Sequence, residues 1–320
     1  MRQAPPSFPA PCRPVAVAGL ILLVGCGGEA LPREPGGASG SGGGTSAAEC
    51  AAPARDWIWC DDFEEDRFSA YFEVMDAGGN FQPRDGAGVA GSRGMVARFR
   101  EGTQSAGALH LAFGRTPQPY FDPVDGGGED HRRIFWRFYL QLPVEWVGNG
   151  GYKLARATVF SSPDHWGQAM AAHLWSGRAD GPNALGLVLD PASGTDAEGR
   201  VVTAEYNDFQ AFRWLGVGAS RTKIFDREHR GRWHCIEAGV GLNDPGASNG
   251  TFRLWIDGEL EAERIGLDWV GRYDEYGLNA LFIENYWDGG APTTQERVFD
   301  NLVVSRSRIG CLSDEELNSP

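Results

Sequence analysis

The globular part of this chain is a succession of short runs of aromatic and β-branched residues, and no long stretch has a helical period. The runs are residues 134–140, 170–175, 185–190, 233–240, 251–256, 281–287 and 298–304. Gly, Pro, Asn or Asp bounds them, which is typical of β-strands joined by turns. The pair Asp257-Gly258, between two strand-like runs, is a hairpin signal. Many short strands with frequent turns predict an all-β sandwich or barrel.

The first 26 residues combine positive charge, a short apolar run and a cysteine. Arg2 and Arg13 precede the apolar run 15–24, which is shorter than the roughly 20 residues that span a bilayer and has the length of a signal-peptide core. The run ends in Leu23-Val24-Gly25-Cys26, where a small residue precedes the cysteine as in a bacterial lipobox. We therefore expect lipid attached to the thiol of Cys26 to hold the protein at a membrane. The alternative is an ordinary secretory signal with an incidental cysteine.

Residues 27–54 consist mostly of Gly, Ser, Ala and Pro, so we expect a flexible tether there. No second segment of this kind and no internal repeat follows, which predicts one domain over 55–312 and a short tail over 313–320. No aspartate directly follows Cys26, so the outer membrane or cell surface is a better expectation than retention at the inner membrane. We expect a monomer.

The charge of the chain narrows the range of partners. The formal net charge is −14, and it becomes more negative when Arg2 and Arg13 leave with the signal. Nucleic acid is therefore not an expected partner, because its phosphates require a basic surface. An anionic substrate would require a locally basic cleft.

Four cysteines remain once Cys12 leaves with the signal and Cys26 carries lipid: Cys50, Cys60, Cys235 and Cys311. In an exported chain they predict two disulfides, for which three pairings are possible. A bond between Cys50 and Cys311 is attractive because it would join the two ends of the domain. The spacing contains no zinc motif.

Several segments of the domain follow a familiar order. They are 231–237 (GRWHCIE), 242–243 (LN) and 249–258 (NGTFRLWIDG), with 60–64 (CDDFE) near the start and 299–304 (FDNLVV) with 309–311 (IGC) at the end. This order resembles the concanavalin A-like jelly rolls of glucuronan lyases and alginate lyases, with the related cellulose-induced secreted proteins. The resemblance touches both ends and the middle of 57–311. It implies a β-sandwich jelly roll of two antiparallel sheets that acts on polysaccharide.

The resemblance also implies a structural Ca²⁺ where the first and last strands meet, with Glu64 and Asp300 at the matching places. Carboxylate oxygens suit this ion, and the loop 88–93 is a candidate source of carbonyl ligands. Alternatively, both residues are solvated carboxylates at strand ends. The acidic loop 122–130 also has the composition of a cation site, but a plain surface loop is the better interpretation.

Lyase chemistry on a uronic-acid polymer requires a base, an acid and a group that neutralises the substrate carboxylate. We assign His173 as the base and Tyr286 as the second proton-transfer group. Arg137, which lies within an aromatic strand, is the group for the developing charge. These assignments require that two stacked antiparallel sheets leave an open trough into which all three side chains project. Packing roles explain the same residues without catalysis.

Further residues on the predicted strands have the chemistry of sugar binding. Lys153 and Arg156 would extend a positive strip, Gln168 is a weaker candidate, and Trp175 and Trp287 would stack on sugar rings. The predicted substrate-binding residues are Lys153, Arg156, Gln168, Trp175, Glu237, Glu284 and Trp287. Solvated strand faces and core packing are the alternative roles.

Two other functions remain open on the same fold. The first is a carbohydrate-binding lipoprotein without catalysis, since a fold does not determine a function. The second is a glycoside hydrolase that uses Glu237 and Glu284 as facing carboxylates. The chain has no nucleophile elbow, phosphate-binding loop or dinucleotide fingerprint.

Overall fold

Strands dominate the fold in this computed structural model, which describes residues 46–177 and 184–318. The strands are β1 (Trp57–Asp61), β2 (Glu73–Met75), β3 (Phe81–Arg84), β4 (Gly94–Phe99), β5 (Ser105–Ala112), β6 (Arg133–Gln141), β7 (Tyr152–Phe160), β8 (Gln168–Ser176), β9 (Leu187–Ser193), β10 (Arg213–Trp214), β11 (Gly218–Ala219), β12 (Trp233–Gly241), β13 (Gly250–Ile256), β14 (Glu259–Leu267), β15 (Ala280–Trp287) and β16 (Gln295–Ser305). Short 3₁₀ turns cover Ser46–Ala51, Phe68–Ala70, Val89–Gly91 and Pro119–Phe121, and one helix, α1, covers Asp314–Asn318.

The strands form two antiparallel sheets of eight strands each. The first sheet has the order β14-β13-β12-β6-β16-β4-β3, and β1 pairs with β16. The second sheet has the order β10-β9-β8-β7-β15-β5-β2, and β11 pairs with β9. Strands that are distant in sequence lie side by side in both sheets, so the predicted all-β sandwich of two antiparallel sheets is confirmed.

The main core lies between the sheets, and alternation along the strands builds it. In β6, Ile134, Trp136, Phe138 and Leu140 belong to the core cluster, whereas Tyr139 packs in a separate cluster with Val89 and Cys235. The second sheet contributes Leu154 and Leu174, among others, to the same core. Side chains of the other parity form the two outer faces of the sandwich.

The predicted hairpin at Asp257-Gly258 is present. The two residues connect β13 to β14, and Ile256 pairs with Glu259 across the turn. Both turn residues have positive φ, 52° for Asp257 and 85° for Gly258. A two-residue turn of this kind matches the twist of the flanking strands and favours the Asp-Gly pair.

Both ends of the folded region cross the outer face of the first sheet. Disulfides join Cys50 to Cys60 and Cys235 to Cys311. The number of bonds is as predicted, but the expected pair Cys50–Cys311 is wrong, because each terminal segment is bonded to its own strand of the sheet. The folded part also begins before residue 55, since the turn Ser46–Ala51 carries Cys50 into the first bond.

The signal, the lipidation site Cys26 and the tether up to residue 45 lie outside the described residues. Within the part that the structure describes, no helix is both long and apolar enough to cross a membrane.

Candidate functional site

The outer face of the second sheet carries a row of aligned polar and aromatic residues. Antiparallel register places His110 opposite Phe282, Phe282 opposite Arg156, Arg156 opposite His173, and His173 opposite Asp190. Five strands thus contribute one residue each, because residues opposite one another in an antiparallel sheet point to the same face. The next row brings Lys153 opposite both Tyr286 and Trp175.

Two buried cations of this face share one carboxylate. Glu284 Oε1 lies 3.5 Å from Lys153 Nζ and 3.6 Å from Arg156 Nη2. Burial alone would raise the pKa of Glu284, but Arg156 and Lys153 outweigh it and hold that pKa at about 2. Burial lowers the pKa of Lys153, although Glu284 acts in the opposite direction. The result is a locally cationic patch on a protein whose net charge is −14.

A loop at residues 204–211, which we call the covering loop, lies over part of this patch. Its Tyr206 hydroxyl donates to Glu284 Oε1 at 2.5 Å. Arg156 Nη1 donates to Asn207 Oδ1 at 2.8 Å. The Arg156 guanidinium also lies 4.4 Å from the centre of the Tyr206 ring. Sequence patterns gave no signal for Tyr206, because it belongs to an irregular loop between strands.

His173 lies on the predicted face but is not open to solvent. Its ring stacks on Trp175 at 4.5 Å between centroids, and Trp214 lies at 5.6 Å on a tilted plane. The side chain is 1% exposed, and burial places its pKa well below the usual value. His173 is therefore a neutral imidazole beneath aromatic rings, and the expectation that it projects into an open trough is wrong.

An open cavity of about 700 Å³ lies beside the covering loop. Its lining combines aromatic rings, one lysine and two aspartates: Tyr152, Lys153, Trp175, Asp190, Asn207, Phe209, Trp214, Gly216, Val217, Tyr286 and Asp288. Lys153 Nζ lies 5.1 Å from the centre of the Tyr286 ring. Trp175 Nε1 donates to Asp190 Oδ2 at 3.1 Å, which fixes both groups at the cavity wall. A cavity of this size and character is typical of a small-molecule or sugar site.

Arg137 and Glu237 lie on the wrong sheet for this cavity. They are opposite one another on β6 and β12 of the first sheet. Arg137 Nη2 donates to Glu49 Oε2 at 2.6 Å, and Glu237 accepts backbone N–H bonds from Ile309 and Gly310. The terminal segments use these two buried charges as anchors.

These positions overturn two of the predicted groupings. Arg137 does not join His173 and Tyr286, which both lie on the second sheet. Glu237 and Glu284 belong to different sheets, so they cannot flank one sugar as a hydrolase pair. Sequence alternation assigned the outward parity correctly but carries no information on which of the two sheets a strand joins.

Two predicted substrate-binding residues are also buried away from the cavity. Trp287 belongs to the core, where its ring lies 5.4 Å from Phe99 and 5.6 Å from Trp146 between centroids. Trp287 has the parity of Leu281 and Ile283, which belong to the same core, so alternation along β15 points it inward, opposite to Tyr286. Gln168 is fully buried, and its Nε2 donates to Thr158 Oγ1 at 2.9 Å. Of the predicted residues, the structure places Lys153, Trp175 and Tyr286 in the cavity lining and Arg156, Glu284 and His173 beneath or beside it.

Glu64 and Asp300 converge on the loop 88–93, as a shared cation would require. Asp300 Oδ2 accepts from the Val89 N–H at 2.7 Å and from Ser92 Oγ at 3.0 Å. Glu64 Oε1 accepts from the Arg93 N–H at 2.7 Å. Burial, with a contribution from Glu64, raises the pKa of Asp300 to about 7.

Two carboxylates repelling each other at one loop fit a divalent cation. However, the loop meets these carboxylates with N–H and hydroxyl groups and not with the expected carbonyls. Among the described residues, no group of three or more His, Cys, Asp or Glu side chains is arranged to hold a metal. Any further ligands would be backbone oxygens or water.

In the other acidic loop, Asp125 and Glu129 have ordinary protein partners. Asp125 Oδ2 lies 2.9 Å from His131 Nε2, and Glu129 pairs with Arg306 at 3.1 Å. These contacts agree with the interpretation of 122–130 as a plain surface loop.

Comparison with known proteins identifies the fold. The structure is similar to the PL-14 alginate lyase of Aplysia kurodai, with 12% identity, a TM-score of 0.53, and coverage of 78% of this chain and 98% of that chain. It is also similar to the endo-β-1,4-glucuronan lyase of Trichoderma reesei, with 13% identity, a TM-score of 0.51, and coverage of 82% of this chain and 100% of that chain. No family model and no curated protein matches the sequence.

The molecule is therefore a two-sheet β-sandwich with an aromatic-lined cavity on one outer face, beside the buried cations Lys153 and Arg156. Its fold is the one shared by the jelly-roll polysaccharide lyases, in agreement with the resemblance seen in the sequence.

Sequence reasoning missed His110, Glu73, Tyr206 and Asp190 at this face. His110 was detectable in principle, because Leu109 and Leu111 alternate with it along β5 and belong to the core. The scarcity of lysine was a separate signal, and it singled out Lys153. Lys153 and Lys223 are the chain's two lysines, against 27 arginines among the 29 basic residues. A lysine placed in the cavity provides an amine whose pKa burial can lower, which arginine does not offer.

Proposed function

We propose that this protein is a polysaccharide lyase that cleaves a uronic-acid-containing polymer by β-elimination. The observation that carries the proposal is the pair Lys153 and Tyr286, which lie side by side in the lining of an aromatic-rich cavity next to a buried cationic cluster. The cluster answers the requirement for a local positive patch on an acidic protein. The similarity to known lyases supports only the fold, so the proposed activity rests on this geometry.

The chemistry that these groups can perform follows from their charge. Burial lowers the pKa of Lys153 and so favours its uncharged amine, and in that form Lys153 accepts the proton that lies next to the substrate carboxylate. The electron pair of the broken C–H bond forms the C4–C5 double bond, and the glycosidic C–O bond breaks. Tyr286 donates a proton to the departing oxygen, and Glu284 stabilises the ammonium formed on Lys153.

The remaining lining suits the rest of a sugar chain. Trp175, Trp214 and Phe209 offer apolar faces for sugar rings. Asp190 and Asp288 place carboxylates in the lining, where they can accept hydrogen bonds from sugar hydroxyls. A uronate is thus oriented with the hydrogen next to its carboxylate towards Lys153 and its hydroxyls towards the aspartates.

The direct test is incubation of the protein with alginate, glucuronan and a neutral β-glucan. We expect ultraviolet absorbance from unsaturated uronate ends with an acidic polymer and none with the neutral glucan. New reducing ends without that absorbance would instead identify a hydrolase. Binding without either product would favour the second candidate, a carbohydrate-binding lipoprotein, which the aromatic lining of the cavity also suits.

We also propose that Glu64 and Asp300 bind a structural Ca²⁺. Support comes from their convergence on the loop 88–93. A ligand that binds the folded state stabilises it by mass action, so adding Ca²⁺ to chelator-treated protein is expected to raise the melting temperature by several degrees. The variant Asp300→Asn should lose most of this response. An unchanged melting temperature in the wild type would remove the metal from the account.

We further propose that lipid on Cys26 anchors the domain to a membrane surface, with export to the outer membrane or cell surface. The sequence order of charge, apolar run and lipobox supports this. The full-length protein is expected to partition into the detergent phase of a Triton X-114 extract, and Cys26→Ala is expected to move it to the aqueous phase. Aqueous partitioning of both proteins would contradict the anchor.

A further inference from the structure

The charge balance beneath the covering loop is incomplete. Arg156 is 0% exposed and Lys153 is mostly buried, and among the described ion pairs both cations meet the same carboxylate, Glu284. Buried charges are normally paired and hydrogen-bonded, because water no longer solvates them. A second carboxylate supplied from outside would restore the balance at this position.

Several polar atoms of the same face are buried without a hydrogen-bond partner among the described residues. They are Arg156 Nε and Nη2, His110 Nε2 and His173 Nε2. Strand β15 lies between β5 and β7, and β8 lies next to β7. The register places His110, Arg156 and His173 in one row across these strands. The two Arg156 atoms are donors, whereas Nε2 of the neutral His173 is an acceptor, because its Nδ1 carries the proton that faces the Asp190 carbonyl. Unpartnered polar atoms this deeply buried are rare in folded proteins, and their clustering around one cation points to a ligand that offers both carboxylate oxygens and hydroxyl groups.

The covering loop is fixed at its two ends and held in the middle by side chains. Before it, Thr203 Oγ1 donates to the Gln168 carbonyl. After it, Phe212 is buried with Ala171 and Ala192, and Trp214 pairs with Ala192 of β9. In between, Tyr206 and Asn207 provide the hydrogen bonds to the sheet, on Glu284 and Arg156. Asn207 has a φ of 61°, a conformation that asparagine tolerates better than most residues.

We propose that Arg156 is the carboxylate-binding group of a buried sugar subsite, and that the covering loop must leave this subsite before a uronate can enter. The proposal rests on the function proposed above. In the closed arrangement, the Asn207 amide oxygen takes the place of a substrate carboxylate oxygen on Arg156. The Tyr206 hydroxyl takes the place of a sugar hydroxyl on Glu284. An amide oxygen is neutral, so a carboxylate competes favourably for the guanidinium.

The first test is hydrogen exchange without ligand. The variant Tyr206→Phe/Asn207→Ala lacks both side-chain bonds of the covering loop, so amides in 204–211 are expected to exchange about tenfold faster than in the wild type. The matched control is Tyr276→Phe/Asn249→Ala, which changes the same residue types at a ring packed under Arg115 and at a turn beside Asp244. Equal exchange in the loop variant and the wild type would show that Tyr206 and Asn207 do not hold the covering loop closed, and would overturn the proposal.

The second test adds trisaccharides prepared from alginate and from glucuronan, with cellotriose as the neutral probe. An acidic trisaccharide should speed exchange in 204–211 of the wild type and bind the loop variant several-fold more tightly, whereas cellotriose should do neither. Slower exchange with the acidic probe, or weaker binding by the variant, would show that Tyr206 and Asn207 hold the substrate and would overturn the proposal.

The two proposals fail in distinguishable ways. If the wild type forms unsaturated product but acidic trisaccharide leaves exchange in 204–211 unchanged, the covered subsite is wrong and the lyase function stands. If neither acidic trisaccharide binds and no acidic polymer is cleaved, both are wrong.

Discussion

At the scale of single residues, Glu284 is the carboxylate on which the cationic cluster depends. It is in contact with Lys153, Arg156 and Tyr206 within 3.6 Å. Its pKa in the folded protein is about 2, below the ordinary value of 4.5. Its ionised form is therefore favoured by folding, and the associated stability is present above pH 4.5 and lost as the pH falls towards 2.

This linkage predicts the behaviour of Glu284→Gln. At neutral pH the variant should be less stable, by an amount on the order of 3 kcal/mol, because two buried cations lose their shared partner. The difference from the wild type should shrink between pH 4.5 and pH 2, which urea unfolding at a series of pH values measures. A difference that stays constant across this range would contradict the assigned ionisation of Glu284.

Individual residues also show what strand alternation can and cannot predict. Alternation predicted that His173 and Trp175 share a face, and they stack on one another. It could not predict that Trp214, from a strand of two residues, lies against the same imidazole. Exposure of a strand residue depends on what covers the sheet, and that information resides in loops without periodic patterns.

At the scale of elements, the two outer faces of the sandwich have different roles. Terminal segments with two disulfides close the face of the first sheet, where Arg137 and Glu237 anchor them. The face of the second sheet carries the cavity and the covering loop. The strand runs and the Asp257-Gly258 turn could be predicted because their signals are local. The assignment of each strand to a sheet depends on long-range pairing, which local pattern does not encode.

This division predicts the effect of removing the second disulfide. Cys235→Ser/Cys311→Ser should unfold at lower temperature, with a loss of about 2–4 kcal/mol, because the bond closes a loop of 76 residues. Lyase activity measured well below the melting temperature should persist, since the bond lies on the opposite sheet from the cavity. Loss of activity in a variant that remains folded by circular dichroism would contradict the separation of roles.

For the molecule as a whole, the proposed function brings an acidic protein together with an acidic polymer at an aromatic-lined cavity that has the cations Lys153 and Arg156 beside it. The net charge of −14 repels such a polymer over most of the surface, which makes a local cluster decisive for where the polymer docks. Lys153 is the member of that cluster that lines the cavity beside Tyr286. We attribute the proton transfer of the elimination to this amine.

The role of Lys153 is tested by comparing the rate of unsaturated uronate formation by the wild type, Lys153→Ala and Lys223→Ala. The chain contains these two lysines, so the second variant removes the same charge outside the cavity lining. Loss of a proton-transfer group typically costs about 10²–10⁴-fold in rate, so Lys153→Ala should fall by at least about a hundredfold while Lys223→Ala stays near the wild type. Equal rates for the two variants would show that Lys153 takes no part in the elimination.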